Sequence, residues 1–188
     1  SIGFVPTMGA LHEGHLALIK ASKATCEITV CSIFVNPTQF NDPTDFEKYP
    51  VTLAADLEKL EAEGCDVVFV PSVSEMYPSG TTQLKHYDLG FIETILEGKY
   101  RPGHFQGVCV VVDLLLQAVQ PHKLFMGEKD YQQIAVVRKM LELTNSSVEL
   151  VKCSTVRSSE GLALSSRNAR LTEEQKEQAL AIYRGFGL

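Results

Sequence analysis

The sequence predicts an α/β fold built on a mostly parallel sheet, in one domain of ordinary size or in one domain plus a fragment of another. Short runs rich in β-branched and aromatic residues alternate along its 188 residues with longer segments of helical apolar periodicity. The hydrophobic content of 45% is enough for a substantial core. Polar clusters follow several predicted strands, which is where open parallel sheets bind their ligands.

Five apolar runs are predicted to be strands, at residues 2–5, 27–35, 66–70, 123–126 and 148–153. Pro6 is predicted to end the first strand, and Gly9 to allow the turn that follows it. Helices are predicted between the strands and at the end of the chain, beginning near residues 12, 52, 104, 130 and 172. The irregular segment 79–103 is expected to form a lobe or flap over a site.

Charge and cysteine content narrow the function classes. A net charge of −6 and a pI near 5.4 argue against nucleic acid as the main partner, so local groups must gather any anionic substrate. Five cysteines without a CxxC pair favour buried reduced thiols over a disulfide framework or a zinc site. No apolar run has transmembrane length and no signal peptide is visible, so we expect a cytoplasmic protein without a membrane partner. The chain opens directly in a strand, and we expect that its original start is missing.

The first polar cluster is the pair His12 and His15, separated by three residues around Gly14. If a helix begins near His12, both imidazoles lie on one face at its positive end, where free N–H groups attract phosphate. Imidazoles there can stabilise the charge that develops during phosphoryl transfer. On spacing alone, a structural role and a functional role are about equally favoured. The pattern is neither the zinc-protease motif nor a P-loop.

The second cluster, Asn36 and Gln39, follows the second predicted strand. Pro37 biases Asn36 toward extended backbone, so the amides emerge at the strand's end. Amide groups offer donors and acceptors together, which suits a small hydroxy acid, although a simple turn is favoured without further context. Asp56 lies in the first turn of the next helix, where a solvated acid is the default interpretation.

Two further clusters follow later strands. In the first, Gly127 lets the backbone approach a ligand and Lys129 supplies a point charge for phosphate, although a solvated charge cluster is the alternative. Asp130 is also placed to cap the next helix. In the second, a Ser-Ser-Arg triplet at 165–167 can bind a phosphate through several donors, although such triplets are common. Arg101 could meet an anion, but a surface charge is favoured. All four clusters are predicted to converge on one crevice.

Two of these segments carry a resemblance. The run PTMGALHEGH at 6–15 and the run GEKDYQQ at 127–133 resemble the signatures of the pantothenate synthetase family. The His-x-Gly-His core at 12–15 is also shared across the wider nucleotidyltransferase superfamily, which includes class I aminoacyl-tRNA synthetases. The resemblance spans nearly the whole chain in matching order. It implies a HIGH-type nucleotidyltransferase fold, a Rossmann-like sheet with helices on both faces.

The resemblance also implies a reaction. A member of this family is an ATP-dependent ligase in pantothenate and coenzyme A biosynthesis. The pantoate carboxylate attacks the α-phosphorus of Mg-ATP, which gives pantoyl adenylate and pyrophosphate. The amine of β-alanine then displaces AMP. Two alternative functions are considered. One is that of another nucleotidyltransferase, which lacks the amide-forming step, and the other is that of a nucleotide-binding module without activity.

Residue roles follow from the same resemblance. It implies a catalytic role for His12, His15 and Lys129, with His15 as the proton donor. It implies pantoate or β-alanine binding by Asn36, Gln39 and Gln133, and proximity to the magnesium-bound phosphates for Asp56. The implied ATP-binding residues are Met8, Gly9, Ala10, Leu11, His12, Glu13, Gly14, His15, Gly127, Glu128, Lys129, Asp130, Val156, Leu164, Ser165, Ser166 and Arg167.

The resemblance further implies the domain organisation. Residues 1–171 are expected to form the ATP- and pantoate-binding domain. Residues 172–188 are expected to form a linking helix toward a C-terminal domain that is absent from this chain. A homodimer is expected, with no nucleic-acid partner.

Overall fold

The computed structural model describes residues 1–185, which contain one five-stranded sheet in the order β3-β2-β1-β4-β5. All of its strand pairs are parallel, so the predicted α/β class is confirmed. The strands are β1 Ile2–Thr7, β2 Ile28–Ile33, β3 Val67–Phe69, β4 Lys123–Gly127 and β5 Glu149–Cys153.

Helices connect the strands and follow the last of them. They are α1 Glu13–Thr25, α2 Pro43–Glu47, α3 Leu53–Ala62, α4 Val73–Met76, α5 Leu96–Tyr100, α6 His104–Val119, α7 Tyr131–Leu143 and α8 Glu173–Gly185. The predicted capping box of α8 is present, because Thr172 and Gln175 exchange side chain–backbone hydrogen bonds. The last three residues of the predicted C-terminal segment lie outside the described residues.

Helices cover both faces of the sheet because neighbouring strand residues point to opposite sides. Phe4 and Leu124 face a core completed by α6 and α7. Val5 and Phe125 face a second core, to which Ile19 of α1 and other side chains from α1 and α3 contribute. Two apolar layers therefore hold the central strands, and their carboxyl ends stay at a shared edge.

The prediction that Pro6 ends the first strand is wrong. β1 continues to Thr7, and Pro6 pairs in register with Ser32 of β2. Proline lacks an N–H and cannot donate a hydrogen bond to a neighbouring strand, so it is normally absent from central strands. Here Thr7 turns its carbonyl toward β2 and accepts from the Phe34 N–H at 3.0 Å, so the Pro6 nitrogen faces β4. The β4 pairing stops at Phe4, and no partner needs the missing donor.

The segment 79–103 is held in place by side chains of the neighbouring helices. Gln106 of α6 bonds both the N–H and the carbonyl of Tyr87, and Tyr87 donates its hydroxyl to Asp113 at 2.5 Å. Gln132 of α7 donates to the carbonyls of Ile92 and Ile95. The segment is thus anchored at several points to α6 and α7.

No helix within residues 1–185 is both long and apolar enough to cross a membrane. The five cysteines are unpaired thiols, and Cys31 and Cys109 are buried.

Candidate active site

A cleft of about 270 Å³ opens at the carboxyl ends of the strands. It lies where β1 and β4 separate beyond Phe4, and Pro6 and Gly127 of these strands line it. The four predicted polar clusters meet here, as expected for a parallel sheet. The predicted site residues that line the cleft are Met8, His12, Gly14, His15, Asn36, Gln39, Gly127, Lys129, Asp130, Gln133, Val156, Leu164, Ser165, Ser166 and Arg167.

The remaining predicted site residues, Gly9, Ala10, Leu11, Glu13, Glu128 and Asp56, are not among the residues that line the cleft. Leu11 is buried in the core to which α1 and α3 contribute, and the Glu128 Oε1 lies 3.8 Å from the Lys152 Nζ. The binding roles that the resemblance implies for these residues stay predictions.

The two histidines form the N-terminal cap of α1. His12 is the N-cap residue, and its Nδ1 accepts from the Gly14 N–H at 3.1 Å. The His15 Nδ1 accepts from the His12 N–H at 3.3 Å, which completes a reciprocal capping box. The ring centroids lie 4.1 Å apart. Because both Nδ1 atoms accept hydrogen bonds, the proton of each neutral ring is on Nε2.

Both imidazoles are held in the neutral form. Burial, together with the nearby charges of His12 and Lys129, lowers the pKa of His15 to about 3. Burial is also the main reason that the pKa of His12 is lowered. In the free protein at neutral pH each ring is therefore a neutral hydrogen-bond donor through Nε2–H. The implied role of His15 as a proton donor stays a prediction that requires bound negative charge to raise this pKa.

Asp56 holds the turn that delivers the histidines. Its side chain is fully buried, so the interpretation as a solvated helix acid is wrong. Oδ1 accepts from the Leu11 N–H at 2.8 Å, and Oδ2 accepts from the Ala10 N–H at 2.9 Å and from the Thr52 hydroxyl at 3.1 Å. Gly9 is in the left-handed region at φ +80°, where an added Cβ would lie 3.0 Å from Oδ2. The carboxylate is thus directed at loop backbone, and its implied proximity to a metal stays a prediction.

Asn36 supports Gln39. Asn36 is only 1% exposed, and its Oδ1 accepts from the Tyr77 hydroxyl at 2.7 Å. Its Nδ2 donates to the Gln39 Oε1 at 3.1 Å and to the Gly107 carbonyl at 3.2 Å. This fixes the acceptor side of the Gln39 amide, and the Gln39 Nε2 lies 3.1 Å from the Met8 sulfur. Gln39 therefore offers its amide to the cleft from a preset position.

The cluster after β4 brings one cation and one amide to the cleft. The Lys129 Nζ lies 2.9 Å from the Asp130 Oδ1. Asp130 is the N-cap residue of α7, as predicted, but its side chain makes no capping hydrogen bond. Nothing lies within 4 Å of a Cβ built on Gly127, so the backbone there is open to a ligand. Gln133 lines the cleft from the first turn of α7.

The loop after β5 also lines the cleft. Leu164 donates its N–H to the Val156 carbonyl at 3.0 Å. The Ser166 hydroxyl donates to the Ala10 carbonyl at 3.0 Å, which joins this loop to the turn before the histidines. Arg167 also lines the cleft, and its guanidinium bonds Asp45. The two loops for which the resemblance implies ATP binding are therefore linked directly.

Sequence reasoning missed several residues that line the cleft, among them Tyr49, Glu97 and His104. His104 is 4% exposed, and burial lowers its pKa. Its neutral ring donates through Nδ1 to the Gln39 carbonyl at 2.7 Å and accepts at Nε2 from Arg101 at 3.1 Å. Arg101 also lines the cleft, so the interpretation as a mere surface charge is wrong. The signal was present, since His104 opens a helix directly after the irregular segment 79–103.

A family model described as pantoate-beta-alanine ligase matches residues 1–187. The chain belongs to this family. A pantothenate synthetase of Bacteroides fragilis is 52% identical over 181 residues, which are 96% of this chain and 64% of that protein. A pantothenate synthetase of Porphyromonas gingivalis is 52% identical over 187 residues, with 66% of that protein covered. The chain thus spans about two thirds of the length of these relatives.

Solved structures agree with the family. The crystal structure of a pantothenate synthetase from Thermus thermophilus matches 97% of this chain and 66% of its own, with a TM-score of 0.93 and 46% identity. A pantoate-beta-alanine ligase from Francisella tularensis, complexed with beta-gamma ATP and beta-alanine, matches with the same TM-score and covers 70% of its own chain. The expected HIGH-type nucleotidyltransferase fold is thereby confirmed.

Proposed function

We propose that this chain is the ATP- and pantoate-binding domain of a ligase that condenses pantoate with β-alanine. The reaction would proceed through pantoyl adenylate and release pyrophosphate and then AMP. The observation that carries the proposal is that one cleft of this family member is lined both by groups suited to phosphate and by amides suited to a small hydroxy acid. Phosphate-binding groups, namely the two imidazoles, Lys129 and Arg167, share this cleft with Gln39 and Gln133.

The chemistry needs positioning and charge stabilisation rather than a protein nucleophile. The pantoate carboxylate is itself the nucleophile toward the α-phosphorus. The Nε2–H groups of His12 and His15 would donate to phosphate oxygens, and Lys129 would add a positive charge. Neutral imidazoles suit this role, because they donate without repelling the nearby lysine.

ATP would lie between the turn at 8–15 and the loop at 164–167. The hydrogen bond from Ser166 to the Ala10 carbonyl supports this arrangement, because it fixes the distance between the two loops. Val156 and the backbone at 127–130 would complete the nucleotide site. Gly9, Ala10, Leu11, Glu13 and Glu128 are not among the cleft-lining residues, so any contribution from them would come through the backbone or through the shape of the loops.

Pantoate combines a carboxylate and hydroxyl groups with two methyl groups on one carbon. The cleft offers a matching pair of surfaces. Gln39 and Gln133 provide the amides, and an apolar floor of Phe34, Val108 and Val112 provides the place for the methyl groups. The bonds of Asn36 to the Gln39 side chain and to α6 support a positioning role for Asn36 in this subsite.

ATP would enter as its magnesium complex. Within residues 1–185, no group of three or more His, Cys, Asp or Glu side chains is arranged to hold a metal. Both Asp56 oxygens already accept hydrogen bonds from protein, which disfavours Asp56 as a ligand. The ion would be held mainly by the ATP phosphates and water, as Mg²⁺ commonly is.

The proposal also covers the domain organisation, the cellular compartment and the oligomeric state. Residues 1–171 would form the binding domain, and α8 would lead toward a C-terminal domain. The relatives are longer than this chain by about a third of their own length, which is enough for such a domain. Unpaired thiols at all five cysteines suit a reducing compartment such as the cytoplasm. Two exposed valines, Val67 of the edge strand β3 and Val70 directly after it, would suit the interface of a homodimer.

Product analysis of the longer protein tests the function. Pantoate, Mg-ATP and β-alanine together should yield pantothenate, AMP and pyrophosphate. Free AMP should appear only when β-alanine is present, which distinguishes a ligase from a nucleotidyltransferase that lacks the amide step. AMP release without pantoate, or equal turnover with GTP or CTP, would contradict the proposal. An absence of turnover would favour the inactive binding module.

The Gln133→Ala variant tests the pantoate subsite. Loss of a hydrogen bond to a charged ligand group costs about 1.5–3 kcal/mol, so pantoate should bind roughly 10- to 100-fold more weakly. ATP binding should stay nearly unchanged. Gln178→Ala, at an exposed position of α8, is the matched control. An equal loss for both ligands would assign Gln133 a structural role instead.

A further inference from the structure

Two arginines of the loop after β5 share one carboxylate from a distant part of the chain. The short 3-10 turn Ser166–Arg170 carries both arginines, and α2 carries Asp45. The Arg167 Nη2 donates to the Asp45 Oδ2 at 2.7 Å, and the Arg170 Nη1 donates to the Asp45 Oδ1 at 2.9 Å. The same Arg170 also donates to the Lys48 carbonyl at 2.8 Å. More than 120 residues of chain separate these partners, so only the fold brings them together.

Asp45 reaches the cleft only through Arg167. Arg167 and Tyr49 line the cleft, whereas Asp45 does not. The Arg167 guanidinium also lies over the Tyr49 ring, with its Cζ 5.6 Å from the ring centroid. A guanidinium has five N–H donors, and Asp45 occupies one of the Arg167 donors. The others stay available to a ligand while the ion pair is intact.

We propose that Asp45 is a positioning residue for nucleotide binding, which fixes the Arg167 guanidinium over the cleft before ATP arrives. This inference rests on the proposed function, because it takes the ligand of Arg167 to be an ATP phosphate. Arg170 and the Tyr49 ring brace the arrangement from two further directions. The benefit is entropic, since a long side chain that is ordered in advance loses less freedom when it binds.

The test is a double-mutant cycle on ATP affinity, measured by calorimetry with Asp45→Asn, Arg167→Ala and both together. Asp45→Asn should weaken ATP binding by about two- to tenfold, the scale for immobilising one flexible side chain. The substitution should have no effect on ATP affinity in the Arg167→Ala background, because Asp45 acts through Arg167. Asp45→Glu should recover part of the affinity.

Asp42→Asn is the matched control. Asp42 is the N-cap of the same helix and accepts from the Thr44 N–H at 2.8 Å, a role that Asn fills equally well. It makes the same change in charge three residues away, so ATP affinity should be unchanged. A thermal midpoint measured on every variant separates loss of affinity from loss of the fold.

The possible failures are distinguishable. If the wild-type chain binds ATP and Asp45→Asn binds it equally well or more tightly, this inference is overturned and the proposed function stands. The same holds if the effect of Asp45→Asn persists in the Arg167→Ala background, because Asp45 would then act on the structure in general. If wild-type protein binds no ATP, the proposed function is overturned together with the inference.

Discussion

Replacing Asp56 by asparagine should loosen the turn that carries the histidine pair. The carboxylate accepts three hydrogen bonds, from two loop N–H groups and the Thr52 hydroxyl, and it is fully buried. Asparagine keeps the size of the side chain and one acceptor oxygen. Its NH₂ group, however, would face donors, because it replaces either Oδ1 or Oδ2.

The magnitude follows from these contacts. A hydrogen bond to a charged group contributes about 1.5–3 kcal/mol, and an orphaned buried N–H costs a similar amount. Thr52 is exposed and can bond water instead, so the loss is dominated by one loop N–H, that of Leu11 if the NH₂ replaces Oδ1 or that of Ala10 if it replaces Oδ2. We expect Asp56→Asn to lower the free energy of unfolding by about 2–4 kcal/mol. For a domain of this size that corresponds to a fall of roughly 5–15 °C in the thermal midpoint.

Thermal and denaturant unfolding without nucleotide or magnesium is the decisive assay. Glu58→Gln is the control, because it makes the same change of charge at an exposed position of the same helix. Its effect should stay within about 0.5 kcal/mol, as for most surface substitutions. A loss of ATP affinity should accompany the loss of stability in Asp56→Asn, because the turn leads directly into His12.

Two results would refute this reasoning. If Asp56→Asn is as stable as Glu58→Gln in the absence of ligands, the buried hydrogen bonds do not hold the turn. If the two proteins differ only in the presence of Mg-ATP, Asp56 acts on the metal rather than on the loop.

Two further predictions concern the same cleft. The His15 pKa is about 3 in the folded protein and ordinary in the unfolded chain, so below pH 6.5 the unfolded state takes up a proton that the folded state excludes. The stability of wild type relative to His15→Asn should therefore fall by about 1.4 kcal/mol per pH unit as the pH drops from 6.5 toward 3, and a constant difference between pH 7.5 and 5.5 in urea unfolding would contradict this. Gly107→Ala should shift the turn at 36–39, because its Cβ would lie 2.3 Å from the Thr38 carbonyl oxygen. We expect about 1–3 kcal/mol of destabilisation and weaker pantoate binding, whereas Gly127→Ala, with nothing within 4 Å, should leave stability nearly unchanged. Equal unfolding curves for the two glycine variants would show that the turn adapts freely.

The sheet, and the edge of it that carries the site, could be predicted because the signals that predict them are local in the sequence. Strand and helix signals lie within short windows, so the predicted strands and the long helices α1, α3, α6, α7 and α8 are present. The convergence of the polar clusters also followed, because parallel strands put their carboxyl ends on the same edge. The family was recognisable from two runs of consecutive residues for the same reason, since both signatures are contiguous.

Contacts between distant segments were decided by the tertiary structure alone. The pattern around Asp56 is that of a surface helix, and only the packing of α3 against the turn at 9–11 buries it. Pro6 could remain in a central strand only because β4 stops pairing at Phe4, which no local pattern records. Asp45 and Arg167 meet across 122 residues of sequence. A side chain's burial, charge state and partners depend on which elements fold against it, and that information is distributed over the whole chain rather than over any one segment.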